Sequence, residues 1–378
     1  LWRDCGEVSR SLVRAGEASE VAVGGRPWCA CPRGRASRFP SQNACYVKCG
    51  AASGNGAALS LSGGLALPVL RSPIGWFGGK GNMQAKLLPL LPKHREYIEP
   101  FFGGGAVFFA KEPALVETIN DLDSAVMGFF RVLRDQPEEF LRLAQLTPYS
   151  RELYNECWAT WREEPDEVRR AWRWWVVARL SFSGKFCQSI STAVTLSCRG
   201  MAATCSLLLN SVEHLPEVAS RLRQTQIENA PALRVLERYC TPTSLAYLDP
   251  PYVSSTRRGG GYACEMTDTD HAELVEALLR LPGRFVLSGY AHSVYQPLEA
   301  AGWSRVDFQT ACYAVGRTRD TGIQGAGSAL AKQPRTESVW LDPATVAEVL
   351  TPETIAGIEH KRGTVAVNAP AAGRLLLG

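Results

Sequence analysis

Asp249-Pro250-Pro251-Tyr252 follows an apolar run, Leu245 to Leu248, that predicts a buried strand. A carboxylate, a rigid turn and an aromatic face therefore stand together at the carboxyl end of that strand. The double proline stops the strand and fixes the backbone. The Asp249 carboxylate and the Pro250 carbonyl can then both accept hydrogen bonds from one NH2 group, while Tyr252 stacks on the ring that bears it. Such a group of residues suits a flat, amino-bearing ring. Proline-rich turns after strands also arise for structural reasons alone, so the rest of the chain decides between the two.

Upstream, Tyr97-Ile98-Glu99-Pro100-Phe101-Phe102-Gly103-Gly104-Gly105 reads as a strand entering a glycine turn, and Ala106 to Phe109 opens an apolar helix. Glycines at such a turn let a ligand approach the backbone, and the amino end of the helix offers free N–H groups. The spacing Phe101-x-Gly103-x-Gly105 lacks the third glycine of a dinucleotide fingerprint and so does not advertise a pyrophosphate site. A second strand, Leu115 to Ile119, ends at Asn120-Asp121. In a doubly wound sheet, an acidic side chain at the tip of the neighbouring strand faces a ribose hydroxyl pair. Together these residues describe a nucleoside-bearing cofactor without phosphates.

Five motifs then stand in order: Gly75-Trp76-Phe77-Gly78-Gly79-Lys80, Glu99 to Gly105, Asn120-Asp121, Asp249 to Tyr252, and Arg335-Thr336-Glu337-Ser338-Val339-Trp340. Over residues 71 to 343 the set closely resembles the Dam-type (D12 class) adenine-N6-specific DNA methyltransferases of bacteria and their phages. The resemblance implies an α/β fold, a Rossmann-like S-adenosylmethionine-dependent methyltransferase sheet with an inserted, mainly helical target-recognition domain. It places Trp76, Gly78, Gly79, Lys80, Glu99, Pro100, Phe101, Gly103, Gly105, Asp121 and Asp249 around S-adenosylmethionine, and Asp249, Pro250, Pro251 and Tyr252 at the reaction. One departure is visible, since many members carry a lysine where this chain has Gly75. That puts in doubt a base or phosphate contact from this position, but not methyl transfer.

An exocyclic amino group on adenine is a poor nucleophile because its lone pair is delocalised into the ring. Two acceptors on its N–H bonds, Asp249 and the Pro250 carbonyl, would localise the pair and stabilise the charge that develops on nitrogen, an effect of roughly 3–4 kcal/mol. A sulfonium is already an activated leaving group, and in-line positioning supplies on the order of 7–11 kcal/mol more. No metal, covalent nucleophile or separate base is required. An adenine stacked in a duplex cannot reach such a pocket, so the base is expected to be flipped out, with Tyr252 replacing its stacking partner. The pocket logic also serves cytosine N4 or adenine in RNA, and a DNA-binding remnant without catalysis is the rival of another class.

With 378 residues, 46% of them hydrophobic, the chain has room for one large domain or two. No apolar stretch approaches the roughly 20 residues of a membrane span, and a cytoplasmic monomer is expected. Residues 1–70 hold eight Lys/Arg against four Asp/Glu, which leaves 33 of each for the remainder, so the net charge of +4 does not by itself indicate nucleic acid. Contact with double-stranded DNA must come from local basic residues, and Lys185, Arg199, Arg257, Arg258, Arg317 and Arg319 are the candidates. The resemblance also allows for a cognate restriction enzyme as partner.

Residues 1–70 begin with Leu1, are rich in Gly, Ala, Ser and Arg, show no sustained period and are expected to be a disordered leader. Their cysteines Cys29, Cys31, Cys45 and Cys49 could ligate zinc, but lack the usual two-residue spacing; no metal is expected. Residues 71–130 and 224–345 are assigned to the catalytic domain, 131–223 to target recognition and 346–378 to a C-terminal tail. Helical periodicity runs over Ser124 to Leu133, Pro137 to Leu146 and Pro165 to Phe182. Trp158, Trp161, Trp172, Trp174 and Trp175 read as helix-to-helix packing. The polar excursion from Ser183 to Gly200 is too long for a simple connector. Strands are expected at Gln226 to Glu228, Leu245 to Leu248, Arg284 to Ser288, Trp303 to Gln309 and Glu337 to Leu341. Helices are expected at Ala232 to Tyr239, Asp270 to Leu281 and Ser293 to Ala301. Glycine-rich loops at Ser254 to Thr267 and Val315 to Pro334 are expected to close on or be ordered by DNA. His271 reads as a capping or surface residue, not a base.

Overall fold

The computed structural model describes residues 70–256, 264–311, 334–362 and 365–368. Arg257, Arg258, Arg317, Arg319, the leader and its cysteines lie outside them, as does most of the Val315 to Pro334 loop. Among the described residues eight strands form one sheet. They are β1 (Glu96–Glu99), β2 (Val116–Asn120), β3 (Thr225–Glu228), β4 (Ser244–Leu248), β5 (Arg284–Gly289), β6 (Ser304–Ala311), β7 (Pro334–Leu341) and β8 (Val365–Asn368). Their order is β3-β2-β1-β4-β5-β7-β6-β8.

The first five strands are parallel, and β7, β6 and β8 continue the sheet antiparallel. All five residues of β4 are buried, as a strand covered on both faces requires. Glu96 pairs with Ser244 and Ile98 with Ala246, so β1 and β4 run side by side. From β1 the chain moves outward to β2 and β3, then returns to β4 and moves the other way to β5. This reversal of direction opens a crevice at the carboxyl ends of β1 and β4, where doubly wound sheets bind ligands.

Five longer helices lie between β2 and β3: Ser124–Asp135, Pro137–Gln145, Arg151–Thr160, Glu167–Leu180 and Ala203–Leu222. Three are started by side-chain caps, from Asp123 to the Ala125 N–H, Ser150 to the Leu153 N–H and Asp166 to the Arg169 N–H. Their apolar faces share one hydrophobic cluster with the sheet. Aromatic contacts run through it, with Phe102 and Phe130 at 4.9 Å, Phe129 and Trp174 at 5.4 Å, and Phe140 and Trp175 at 6.0 Å. The tryptophans expected to pack helices together do so.

Helix Ala203–Leu222 has no counterpart in the sequence pattern. It carries Pro216 in its interior, and a proline there breaks the hydrogen-bond ladder and masks the helical period. Between it and Glu167–Leu180 lies the excursion, in which Ser183, Gly184 and Phe186 all take positive φ. The Phe186 ring sits among Trp158, Trp161 and Trp174 at 5.6–5.9 Å, which holds these backbone conformations in place. Past Asp342, helices Pro343–Val349 and Pro352–Arg362 precede the edge strand β8. No helix among the described residues is long and apolar enough to cross a membrane.

The helical segment is also tied to the sheet by charge. Glu117 of β2, 2% exposed, meets Lys111 at 2.5 Å and Arg221 of helix Ala203–Leu222 at 2.5 Å. Removing one member of such a cluster leaves the others desolvated and unpaired. Glu117→Ala is therefore expected to cost about 3–5 kcal/mol in a urea unfolding experiment; a loss below about 1 kcal/mol, typical of an exposed pair, would contradict this.

Candidate active site

The crevice holds a cavity of about 330 Å³. Three strand tips and one strap of chain build it. β1 delivers Glu99 and the glycine turn, β2 delivers Asp121, β4 delivers Asp249, and the strap Ile74 to Lys80 crosses above them.

The glycine turn is dictated by packing. Gly103 and Gly105 take φ of +47° and +64°. A Cβ at Gly103 would stand 2.4 Å from Trp76 Nε1, and one at Gly105 would stand 2.4 Å from Phe102 Cζ. The turn thus accommodates the indole of the strap as well as the cavity beside it. The strap is anchored in turn by the helical segment, because Trp175 Nε1 and Ser211 Oγ both donate to the Pro73 carbonyl, at 3.2 and 2.8 Å.

Gly75, which stands where the resembling family often has lysine, lies against the excursion. A Cβ on it would be 3.3 Å from the Ala178 carbonyl, and one on Gly184 would be 2.9 Å from the Gly75 carbonyl carbon. The two glycines let backbone meet backbone, which leaves little room for a larger side chain.

At the tip of β2, Asp121 accepts the Gly103 N–H at 2.7 Å through one oxygen and the Asp123 N–H at 2.9 Å through the other. Burial raises its pKa and these hydrogen bonds oppose the rise. Asn120 bridges β1 and β3 by donating to the Pro100 and Ala230 carbonyls.

At the centre, Lys80 Nζ stands 2.7 Å from Asp249 Oδ1, 3.1 Å from the Gly78 carbonyl and 4.8 Å from the centre of the Tyr252 ring. Burial raises the Asp249 pKa, and Lys80 pulls it back. The Tyr252 ring is 5% exposed and meets Tyr290 edge-on at 4.6 Å. The aromatic face assigned in the sequence to a stacked ring thus also faces the Lys80 ammonium.

Glu99 is 3% exposed and accepts the Tyr97 hydroxyl at 2.7 Å. Burial dominates, and its pKa is pushed up to about 8.

Among the described residues the cavity wall contains seven carboxyl groups (Glu99, held neutral by burial, with Asp121, Asp123, Asp249, Glu265, Asp270 and Glu273) and one basic side chain, Lys80. Such a lining favours a cationic ligand and repels phosphate. Phe101, Leu122 and Leu233 supply apolar surface for a flat ring. A nucleoside carrying a sulfonium and an ammonium fits this donor set.

Trp76, Gly78, Gly79, Lys80, Glu99, Pro100, Phe101, Gly103, Gly105, Asp121 and Asp249 all line the cavity, and so does Pro251. Pro250 and Tyr252 are buried beside it. Lys185 is exposed, with its ammonium 5.8 Å from the centre of the Phe77 ring. Arg199 forms a two-pronged ion pair with Glu213 at 2.7 and 3.0 Å.

His271 is fully buried, neither a cap nor a surface residue. Its Nδ1 lies 3.1 Å from the Tyr295 hydroxyl, and burial lowers its pKa. Reasoning from the sequence missed Glu337 as a site residue. It receives the Tyr252 hydroxyl at 2.7 Å, and its place in the fifth motif was the only signal.

Residues 76–295 match the D12 class N6 adenine-specific DNA methyltransferase family. The chain is 33% identical over 120 residues to a Type II methyltransferase of Lactococcus lactis subsp. cremoris, covering 29% of this chain and 41% of that one. It is 32% identical over 74 residues to the DNA N-6-adenine-methyltransferase of Escherichia phage P1, covering 20% and 10%. A DNA adenine methylase of Vibrio cholerae is 25% identical over 118 residues, covering 30% and 42%. The matched segment thus spans about two fifths of the Lactococcus and Vibrio relatives.

The raised Glu99 pKa has a definite sign. A carboxyl with an ordinary value of 4.5 that titrates near 8 when folded stabilises the fold most at low pH, and that contribution is lost as pH rises through 8. Glu99→Gln, a neutral isostere, is expected to flatten the fall in Tm between pH 6 and 9. Identical slopes for the two proteins would contradict a neutral Glu99.

Proposed function

The chain belongs to the D12 class of N6 adenine-specific DNA methyltransferases, and from that premise we propose that it methylates N6 of an adenine in double-stranded DNA, with S-adenosylmethionine as donor. One observation carries the reading: Asp249 ends a buried strand, paired at 2.7 Å with Lys80, beside an acidic cavity. When bound, S-adenosylmethionine supplies an electrophilic methyl on a cationic sulfur.

The remaining work belongs to the chain. Glu99, held neutral by burial, Asp121 and the glycine turn hold the nucleoside and its charged tail, and the acidic wall favours a cation over a phosphate-bearing nucleotide. Asp249 accepts an N–H of the target amino group, which draws the nitrogen lone pair out of the ring and toward the methyl. As the N–C bond forms and the S–C bond breaks, positive charge appears on nitrogen, and Asp249 stabilises it until one proton leaves to solvent. The buried, low-dielectric surroundings strengthen that interaction, at no reorganisation cost.

The helical segment between β2 and β3 is the target-recognition region in this reading. Its excursion reaches the strap at Gly75 and brings Lys185 to Phe77 at the cavity mouth. Lys185 and Arg199 contact the duplex, Arg199 by exchanging Glu213 for a phosphate. Base flipping follows from the depth of Asp249, since a stacked adenine cannot reach it.

Asp249→Ala tests the assignment. Transfer of labelled methyl to DNA is expected to fall by about 10²–10³-fold or more, while DNA binding, followed by fluorescence anisotropy, changes little. Undiminished transfer in that variant would overturn the mechanism.

A further inference from the structure

We infer that Glu337 is a positioning residue for methyl transfer, setting the plane of the Tyr252 ring through the hydroxyl bond. The inference rests on the methyltransferase reading and deepens it. β7 runs antiparallel to β5, with Gly289 opposite Ser338. The amino-terminal half of β7 therefore reaches the same edge of the sheet at which β4 delivers the tetrapeptide. Glu337 is thus brought to Tyr252, 85 residues away in sequence, at 2.7 Å.

A ring in a pocket has freedom to tilt and rotate, and three contacts remove it here. Glu337 takes the hydroxyl, Tyr290 packs edge-on at 4.6 Å, and Lys80 stands 4.8 Å over the face. Only the first is a directional hydrogen bond to a charged acceptor, the strongest of the three kinds. The phenol stays protonated, since burial first and then the neighbouring carboxylate raise the Tyr252 pKa from a value already above neutral pH. The hydroxyl is therefore always the donor, and the bond has one sense.

Substitutions in the full chain test the role. Glu337→Ala loses the acceptor, and the single-turnover methyl-transfer rate is expected to fall by about tenfold to a hundredfold, the scale of a misplaced reacting group. Cofactor and DNA affinities should stay within about threefold, since the interaction acts on transfer and not on binding. Tyr252→Phe should show the same loss, and the double variant no further loss. Glu337→Gln keeps an acceptor for the hydroxyl. It should therefore retain the rate within about threefold, a rescue that a merely structural role for the charge would not give.

A Glu337→Ala rate equal to the unmodified chain's would overturn the positioning role. Where Glu337→Ala does not fold, an undiminished rate in Tyr252→Phe, or a Glu337→Gln rate more than tenfold down, would overturn it. No product from the unmodified chain would overturn the functional reading and this inference with it, whereas product with an insensitive Glu337 would overturn this inference alone.

Discussion

The contact between Lys80 and Asp249 constrains everything around it. Two opposite charges 2.7 Å apart, with side chains 8% and 19% exposed, are costly to desolvate and hold only where their surroundings are rigid. The surroundings here come from four places in the sequence. β4 fixes Asp249 through the double proline, and β1 carries the glycine turn. The strap carries Lys80, and the helical segment pins the strap at Pro73. Loss of any one of these would leave a buried charge without its partner. A single cation meets both the carboxylate and the face of Tyr252, which are the two contacts that a reacting amino group on a ring would need.

The acidic wall of the cavity explains why a glycine turn of this type need not serve a dinucleotide. The turn offers backbone N–H groups, but Asp121 already takes that of Gly103. Among the described residues, six carboxyl groups besides the neutral Glu99 stand against one lysine, which makes the cavity hostile to phosphate. Chemistry and topology therefore agree: the place is the usual ligand crevice of a doubly wound sheet, with the charge reversed to suit a cation.

Much of this was legible in the residues. The run from Leu245 into the double proline could only be a buried strand with an abrupt end, and the alternation of strand and helix from Ala232 to Ala301 followed ordinary patterning. Helix Ala203–Leu222 was hidden by Pro216 and a polar first turn. The bond from Tyr252 to Glu337 was hidden for another reason, since it depends on the register of β7 against β5 and on which edge of the sheet its first half reaches. No local pattern encodes that. Likewise, the demand for glycine at 103 comes from an indole 27 residues earlier in the chain, and the burial of His271 comes from packing beneath the tetrapeptide.

Methyl transfer to the exocyclic nitrogen of adenine in DNA is the proposal on which the roles of Asp249, Tyr252 and Glu337 rest. The most direct measurement incubates the purified full chain with labelled S-adenosylmethionine and unmethylated duplex DNA, digests the product to nucleosides and identifies the modified one by mass. N6-methyldeoxyadenosine is the expected product. Label on deoxycytidine, or an unmodified duplex despite measurable cofactor binding, would contradict it.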